Sequence, residues 1–205
     1  MPVNEEALLI FARKPELGKA KTRLAAGIGA APALAVYREL LAVTHAAVVQ
    51  AAVPATAWLA GADDDAPGAS QPEWPGLPWQ PQPAGDLGRR LTTAFAAAFA
   101  GGAARVAVIG TDCPGLRATH LREAFAALRT HDLVLGPAAD GGYYLLGLNT
   151  RLRPELFQNK QWSTATVLAD TLADAQRLGL RVALLPELRD VDNAADLAAW
   201  RQGTL

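Results

Sequence analysis

Apolar residues along this chain fall into short solid runs, separated by longer stretches where they recur every three or four positions. Ala7–Ala12 (ALLIFA), Thr56–Ala60 (TAWLA), Arg105–Ile109 (RVAVI), Leu133–Leu135, Tyr143–Leu148 and Val182–Leu185 have strand length. Runs with no polar alternation belong to strands covered on both faces. Helical spacing extends from Pro32 to about Ala52, over Leu87–Ala100, from Ala118 to Arg129, onward from near Ser163 or Thr164, and over Ala194–Trp200. Pro32 suits a first helical turn, and Asp86 is placed to cap the amides of Leu87–Ala100. Alternating strands and helices predict an α/β fold, with a mixed, mostly parallel sheet and helices on both faces. No helix fits between 133–135 and 143–148, so that pair predicts one reversed strand.

Residues 62–84 break the pattern. Six of the fourteen prolines lie between Pro67 and Pro83, which forbids a regular helix. We expect a long surface excursion with a short strand at Trp79–Gln82. It is either a tolerated insertion or a substrate-covering loop that uses Trp74 and Trp79.

Composition narrows the function. The 205 residues are 51% hydrophobic and 19% charged, which suits one domain with one sizeable core. A net charge of −1 lacks the basic excess of a general nucleic-acid or anionic-membrane binder. Cys113 is the single cysteine, so an internal disulfide and a cysteine zinc site are both excluded. The N-terminus places two glutamates before a short apolar run, unlike a secretory signal, and no stretch of about 18 apolar residues follows. A cytoplasmic location is expected. The alanine-rich helices would suit a homodimer face.

Four segments carry candidate chemistry. Arg13, Lys14, Lys19, Lys21 and Arg23 crowd the loop leaving the first strand, with Gly18 among them. Ligands of open α/β sheets bind at the carboxyl ends of strands, where a glycine lets backbone amides approach an anion and cations neutralise it. The same residues read equally as a solvated basic turn, and neither a Walker A loop nor G-x-G-x-x-G is present. Asp112, in Gly110–Pro114 directly after RVAVI, is placed to hold Mg²⁺ or to cap a helix. In Pro137–Tyr144, Asp140 precedes Gly141 and Gly142, which permit close backbone approach to a ligand or a tight turn into Tyr143. Asp190 and Asp192 alternate along Arg189–Asn193 and share one side of an extended segment. One of them could complete a metal site with Asp112, the other cap the last helix. Trp162-Ser163-Thr164 reads as a helix cap with a packing tryptophan, or as a substrate contact. His45, His120 and His131 share no metal spacing, and Cys113 reads as a small packed side chain.

Taken together, FARKPELGKAKTRLA, GDLGRRLTTAF, VIGTDCPGL, LGPAADGGYYLLGL, WST and DVDNAADL resemble the bacterial glycosyltransferase-like family of the nucleotide-diphospho-sugar transferase (GT-A) superfamily. The resemblance runs from about residue 8 to residue 200. It implies a Rossmann-like mixed sheet and places Asp112 at the superfamily's metal-binding aspartate. Asp192 then matches the late second ligand better than Asp190, for Mg²⁺ or Mn²⁺. The turn Gly85-Asp86-Leu87-Gly88 falls where relatives contact the nucleoside, and Arg13, Gly18, Lys19, Lys21 and Arg23 would hold phosphates. Asp140, Gly141, Gly142, Tyr143 and Trp162 would face the acceptor, with Asp140 orienting or deprotonating it. Asp112 stands in TDCP, without the Asp-x-Asp of many glycosyltransferases.

Three functions remain. The first is glycosyl transfer from a nucleotide-sugar to a small acceptor. The second is nucleotidyl transfer from a nucleoside triphosphate to a phosphorylated small molecule with release of pyrophosphate. AKTRL, which resembles the corresponding loop of phospholactate guanylyltransferases, supports it. The third is a non-catalytic nucleotide-binding or interaction protein that keeps the fold.

Overall fold

The computed structural model describes residues 5–62 and 71–204. Part of the expected excursion, 63–70, lies outside the described residues. Seven strands form one sheet: β1 (Glu6–Arg13), β2 (Ala55–Ala60), β3 (Trp79–Pro81), β4 (Arg105–Ile109), β5 (Leu133–Pro137), β6 (Tyr143–Asn149) and β7 (Val182–Leu184). Their spatial order is β3-β2-β1-β4-β6-β5-β7. All neighbours run parallel except β6, which is antiparallel to both β4 and β5. The helices are α1 (Thr22–Ile28), α2 (Ala30–Ala51), α3 (Leu87–Ala100), α4 (Ala118–Ala127), α5 (Val167–Arg177) and α6 (Ala194–Arg201).

The solid apolar runs are explained by the two faces of this sheet. Successive strand residues point to opposite sides, so Leu8 and Ile10 enter one core while Leu9, between them, enters the other. The first core adds Ala57, Leu59, Ala107 and Ile109, packed under Tyr37 and Leu41 of α2 and Leu121 and Phe125 of α4. The second gathers Trp58, Val106, Val108, Leu146 and Leu148 beneath Leu91 and Phe95 of α3. A smaller cluster of Leu24, Val36, Leu40 and Val191 ties α1 and α2 to the chain entering α6.

Most expected elements are present, and Asp86 caps α3 by accepting from the Arg89 amide at 2.8 Å. Several expectations need correction. The basic loop does not stay irregular; it runs into α1, ended by Gly29 at φ 91°. Ser163 and Thr164 do not start α5, because Ser163 takes a left-handed backbone (φ 64°) and the helix begins at Val167. Trp74 does not cover substrate; it is 2% exposed and belongs to the first core. Trp79 starts β3 and packs against the same core. A proline-rich segment thus supplies core and an edge strand as well as surface. Among the described residues α2 is the one helix long and apolar enough to cross a membrane, yet Val36, Tyr37, Leu40, Leu41, Ala47 and Val48 are buried against the rest of the fold.

Candidate active site

Three segments far apart in sequence meet at the carboxyl edge of the sheet. β1 ends at Arg13, whose amide donates to the Tyr37 hydroxyl at 2.9 Å. That hydroxyl donates back to the Arg13 carbonyl at 2.9 Å, so α2 fixes the strand end. Burial pushes the Tyr37 phenol above its ordinary value. The chain then turns at exposed Gly18, φ 75°, and reaches Lys21, which takes a left-handed backbone (φ 51°) at the head of α1. β4 ends in Gly110-Thr111-Asp112. The third segment, ahead of α6, is pinned by three backbone bonds. Leu188 donates to the Pro137 carbonyl at 3.0 Å, Ala139 to Leu188 at 2.9 Å, and Val191 to Asp112 at 3.0 Å. Gly27 supports this meeting, since a Cβ there would lie 3.3 Å from the Ala194 Cβ, tighter than ordinary packing.

A knot of charge joins the segments. Lys21 Nζ lies 2.7 Å from Asp112 Oδ1 and 3.1 Å from Asp192 Oδ1, and donates to the Val191 carbonyl at 2.7 Å. Arg23 meets the other Asp192 oxygen at 3.1 Å. The Lys21 side chain is 6% exposed. Burial alone would depress its pKa, but Asp112 and Asp192 outweigh that and raise it, so Lys21 stays charged.

Three cavities border this knot, and the third, about 400 Å³, is lined by Arg23, Asp140, Arg189, Asp190, Asp192 and Asp196 among others. The first, about 420 Å³, is lined by Arg13, Lys19, Lys21, Arg23, Tyr37, Gln82, Arg90, Asp112 and Asp192, among others. The second, about 210 Å³, is lined by Gly142, Tyr143, Tyr144, Trp162, Asp112, Asp140 and Asp190, with Cys113. Asp112 and Leu87 belong to both. Burial, then the nearby Asp140 and Asp192 carboxylates, push Asp190 up to about 6. Burial pushes the Cys113 thiol up as well, consistent with packing and not with a reactive thiolate.

The expected residues divide by location. Lys19 borders the first cavity but pairs with Glu16 at 2.6 Å. Asp140 accepts from the Gly142 amide at 2.8 Å, an Asx-type bond that shapes its own loop while the residue lines the second cavity. Gly141 has φ 88°, and a side chain there would collide with the Ala165 backbone. Gly18, Gly85, Asp86 and Gly88 are not among the residues lining the first cavity. Asp86 is a helix cap, the Gly85 carbonyl accepts from Arg90 Nε at 2.8 Å, and a Cβ on Gly88 would collide with the Phe157 carbonyl. Sequence reasoning missed Tyr37, Gln82 and Arg90. Gln82 donates to the Ala12 and Trp58 carbonyls at 3.1 and 3.0 Å and accepts from Arg90 at 3.2 Å. It braces the ends of β1 and β2 and aims Arg90 at the cavity. The doublet Arg89-Arg90 after Gly-Asp-Leu-Gly was the available signal.

Among the described residues, no group of three His, Cys, Asp or Glu side chains could hold a metal ion. Asp112 and Asp192 instead converge on one cation, Lys21. Mg²⁺ usually takes one or two carboxylates and completes its shell with phosphate oxygens and water. The pair therefore fits a metal that shares its ligation with a phosphorylated substrate.

Residues 43–164 match the family described as an uncharacterized protein conserved in bacteria, DUF2064. The crystal structure of a candidate nucleotide-diphospho-sugar transferase from Desulfovibrio desulfuricans G20 is 31% identical, covers 97% of this chain and 87% of its own, and superposes with a TM-score of 0.91. Rv0371c from Mycobacterium tuberculosis H37Rv, solved in complex with manganese, is 17% identical over 96% of this chain and 97% of its own, with a TM-score of 0.58. A 4-diphosphocytidyl-2C-methyl-D-erythritol synthase from Anaerococcus prevotii DSM 20548 is 10% identical over 96% and 98%, with a TM-score of 0.61. These last two share the fold. No curated protein matches the sequence. With one profile spanning more than half the chain and the Desulfovibrio protein similar along nearly all of it, this protein belongs to the bacterial DUF2064 family, within the nucleotide-diphospho-sugar transferase superfamily.

Proposed function

We propose that the chain is a single-domain, cytoplasmic transferase that uses a nucleotide-sugar donor with Mg²⁺ or Mn²⁺ to glycosylate a small acceptor. The observation that carries this reading is the separation of charge between the first two cavities. Arg13, Lys21, Arg23 and Arg90 line the first and suit the diphosphate of a donor. Asp112, Asp140 and Asp190 line the second, and no lysine or arginine is among its described lining residues. An acceptor entering there is better neutral than phosphorylated, because like charges at about 4 Å repel by roughly 4 kcal/mol near a protein surface.

Asp112 and Asp192 would hold the metal, which when bound supplies Lewis-acid stabilisation of the charge developing on the departing diphosphate. Once drawn onto the phosphates, Lys21 joins Arg23 in stabilising the same charge, and both are in place before the bond breaks. Tyr143, Tyr144 and Trp162 wall the acceptor. The acceptor oxygen bonds to the anomeric carbon as the carbon–oxygen bond to the diphosphate breaks, its electron pair leaving with the phosphate. Asp140 takes the hydroxyl proton. Asp190, at about 6, exchanges protons readily near neutral pH.

The AKTRL segment favours the second reading, nucleotidyl transfer to a phosphorylated acceptor, and the fold is shared with the 4-diphosphocytidyl-2C-methyl-D-erythritol synthase and with a CMP:2-keto-3-deoxy-manno-octonic acid synthetase solved in complex with CTP. A thermal-shift panel of nucleotide-sugars, parent diphosphates and triphosphates, each with and without Mn²⁺, separates the two. Glycosyl transfer requires the largest metal-dependent shift from a nucleotide-sugar, about 2.7 kcal/mol at 100 times its Kd, and its loss in Asp112→Asn. Preference for a triphosphate, with pyrophosphate released on turnover, would replace this reading by the second. No shift with any nucleotide would leave a non-catalytic scaffold.

A further inference from the structure

Lys21 is an unusual loop lysine. Its backbone sits in the left-handed region, φ 51° and ψ 47°, which few residues other than glycine adopt. Lys21 nevertheless heads α1, with its carbonyl accepting from Ala25 at 2.8 Å. This conformation turns the side chain inward until it is 6% exposed. All three ammonium protons have acceptors: Asp112 Oδ1, Asp192 Oδ1 and the Val191 carbonyl. Arg23 covers the second Asp192 oxygen. Two cations and two carboxylates make the knot electrically neutral, and the ammonium occupies the place where the carboxylates converge.

We propose that Lys21 is a built-in counter-ion that closes the Asp112–Asp192 pair to free metal until a nucleotide diphosphate draws its ammonium away. This rests on the reading that the two aspartates hold a divalent cation. A bare Mg²⁺ or Mn²⁺ entering the knot must displace a hydrogen-bonded ammonium and would leave the four side chains and the ion with two surplus positive charges, Arg23 included. A diphosphate supplies at least two negative charges and new acceptors for Lys21. Metal and diphosphate together then leave the knot near neutrality, whereas metal alone does not. The carboxylates bind their metal as a complex with the nucleotide, and Lys21 changes partner from carboxylate to phosphate as that complex arrives. Phosphate binding and metal admission are thus one event, governed by one side chain.

The test is Mn²⁺ binding to the nucleotide-free protein, followed by loss of the free-ion electron paramagnetic resonance signal. Lys21→Met keeps the length of the side chain and removes its charge; Lys21→Gln serves as a second uncharged variant. Both should bind Mn²⁺ at least tenfold tighter than wild type, although the diphosphate contact is lost. The gain should vanish in Lys21→Met combined with Asp112→Asn. Saturable binding of equal affinity in wild type and in both single variants overturns the gate and leaves the metal site standing. Absence of binding from every variant overturns the gate together with the metal reading beneath it.

Discussion

Asp190→Asn should stabilise the protein at pH 8 and leave it unchanged at pH 4. Asp190 is half-buried, and burial together with Asp140 and Asp192 raises its pKa to about 6 from an ordinary carboxyl value near 3.8. The folded state then binds the Asp190 proton more tightly than the unfolded chain does. Its contribution is therefore most favourable below pH 4, declines as pH rises towards 6, and stays low above that. Each pKa unit corresponds to about 1.4 kcal/mol, which sets a ceiling of about 3 kcal/mol for the ionised group. Solvent on its open side screens the interaction, and about 1.5 kcal/mol is the expected share. For a chain of this size that raises Tm by about 3–6 °C. Melting curves of both proteins, without metal or nucleotide, are compared at pH 4 and pH 8. An Asn variant that melts lower at pH 8, or one offset equally at both pH values, would refute the reasoning.

Two further outcomes concern the frame around the site. Lys160 is 2% exposed and bonds to Asp174 at 2.6 Å, and Lys160 and Arg177 hold that carboxyl below its usual range against the opposing effect of burial. Asp174→Asn should cost about 2 kcal/mol in urea unfolding at pH 7; the difference should shrink as pH falls through the carboxyl's folded value, and a pH-independent difference would sink the ion-pair account. Gly88→Ala should cost about 2 kcal/mol or more, because its methyl meets the Phe157 carbonyl and the backbone must shift. An unchanged urea midpoint would mean that α3 is not held at that distance.

What was legible in the sequence was local. Solid apolar runs gave β1, β2, β4 and β6 to within a residue or two at their ends, because a strand covered on both faces has no polar alternation to confuse. Asp86 was readable as a cap for the same reason, since its bond to Arg89 spans three residues. The reversed β6 followed from a connection too short for a crossover. α1 was not legible: of TRLAAGI only Leu24 is buried, and the helix depends on the turn at Gly29 and close packing against α6. Trp74 misled because proline-rich sequence reads as surface, although its ring completes a core. The charge knot was half legible. Lys21, Arg23, Asp112 and Asp192 were each candidates, but Lys21 and Asp192 are 171 positions apart, and no local rule pairs them.

Those long-range contacts also determine how the cavities communicate. Leu87 and Asp112 border both of the first two cavities, while the third shares Arg23 and Asp192 with the first and Asp140 and Asp190 with the second. Leu87 is the first residue of α3, held by the Asp86 cap. Asp112 is held through its carbonyl by Val191 and through its carboxylate by Lys21. A change at Val191 that opened the buried cluster with Leu24 and Leu40 would therefore loosen Asp112 without touching either cavity. The same change would release the Lys21 acceptor at the Val191 carbonyl. The ion pair of Asp112 with Lys21 thus depends on a small apolar cluster outside both. The first two cavities nevertheless differ in charge within a few residues of each other: Arg13, Lys21, Arg23 and Arg90 outnumber Asp112 and Asp192 in the first, Asp112, Asp140 and Asp190 line the second, and Lys21 pairs with the shared aspartate.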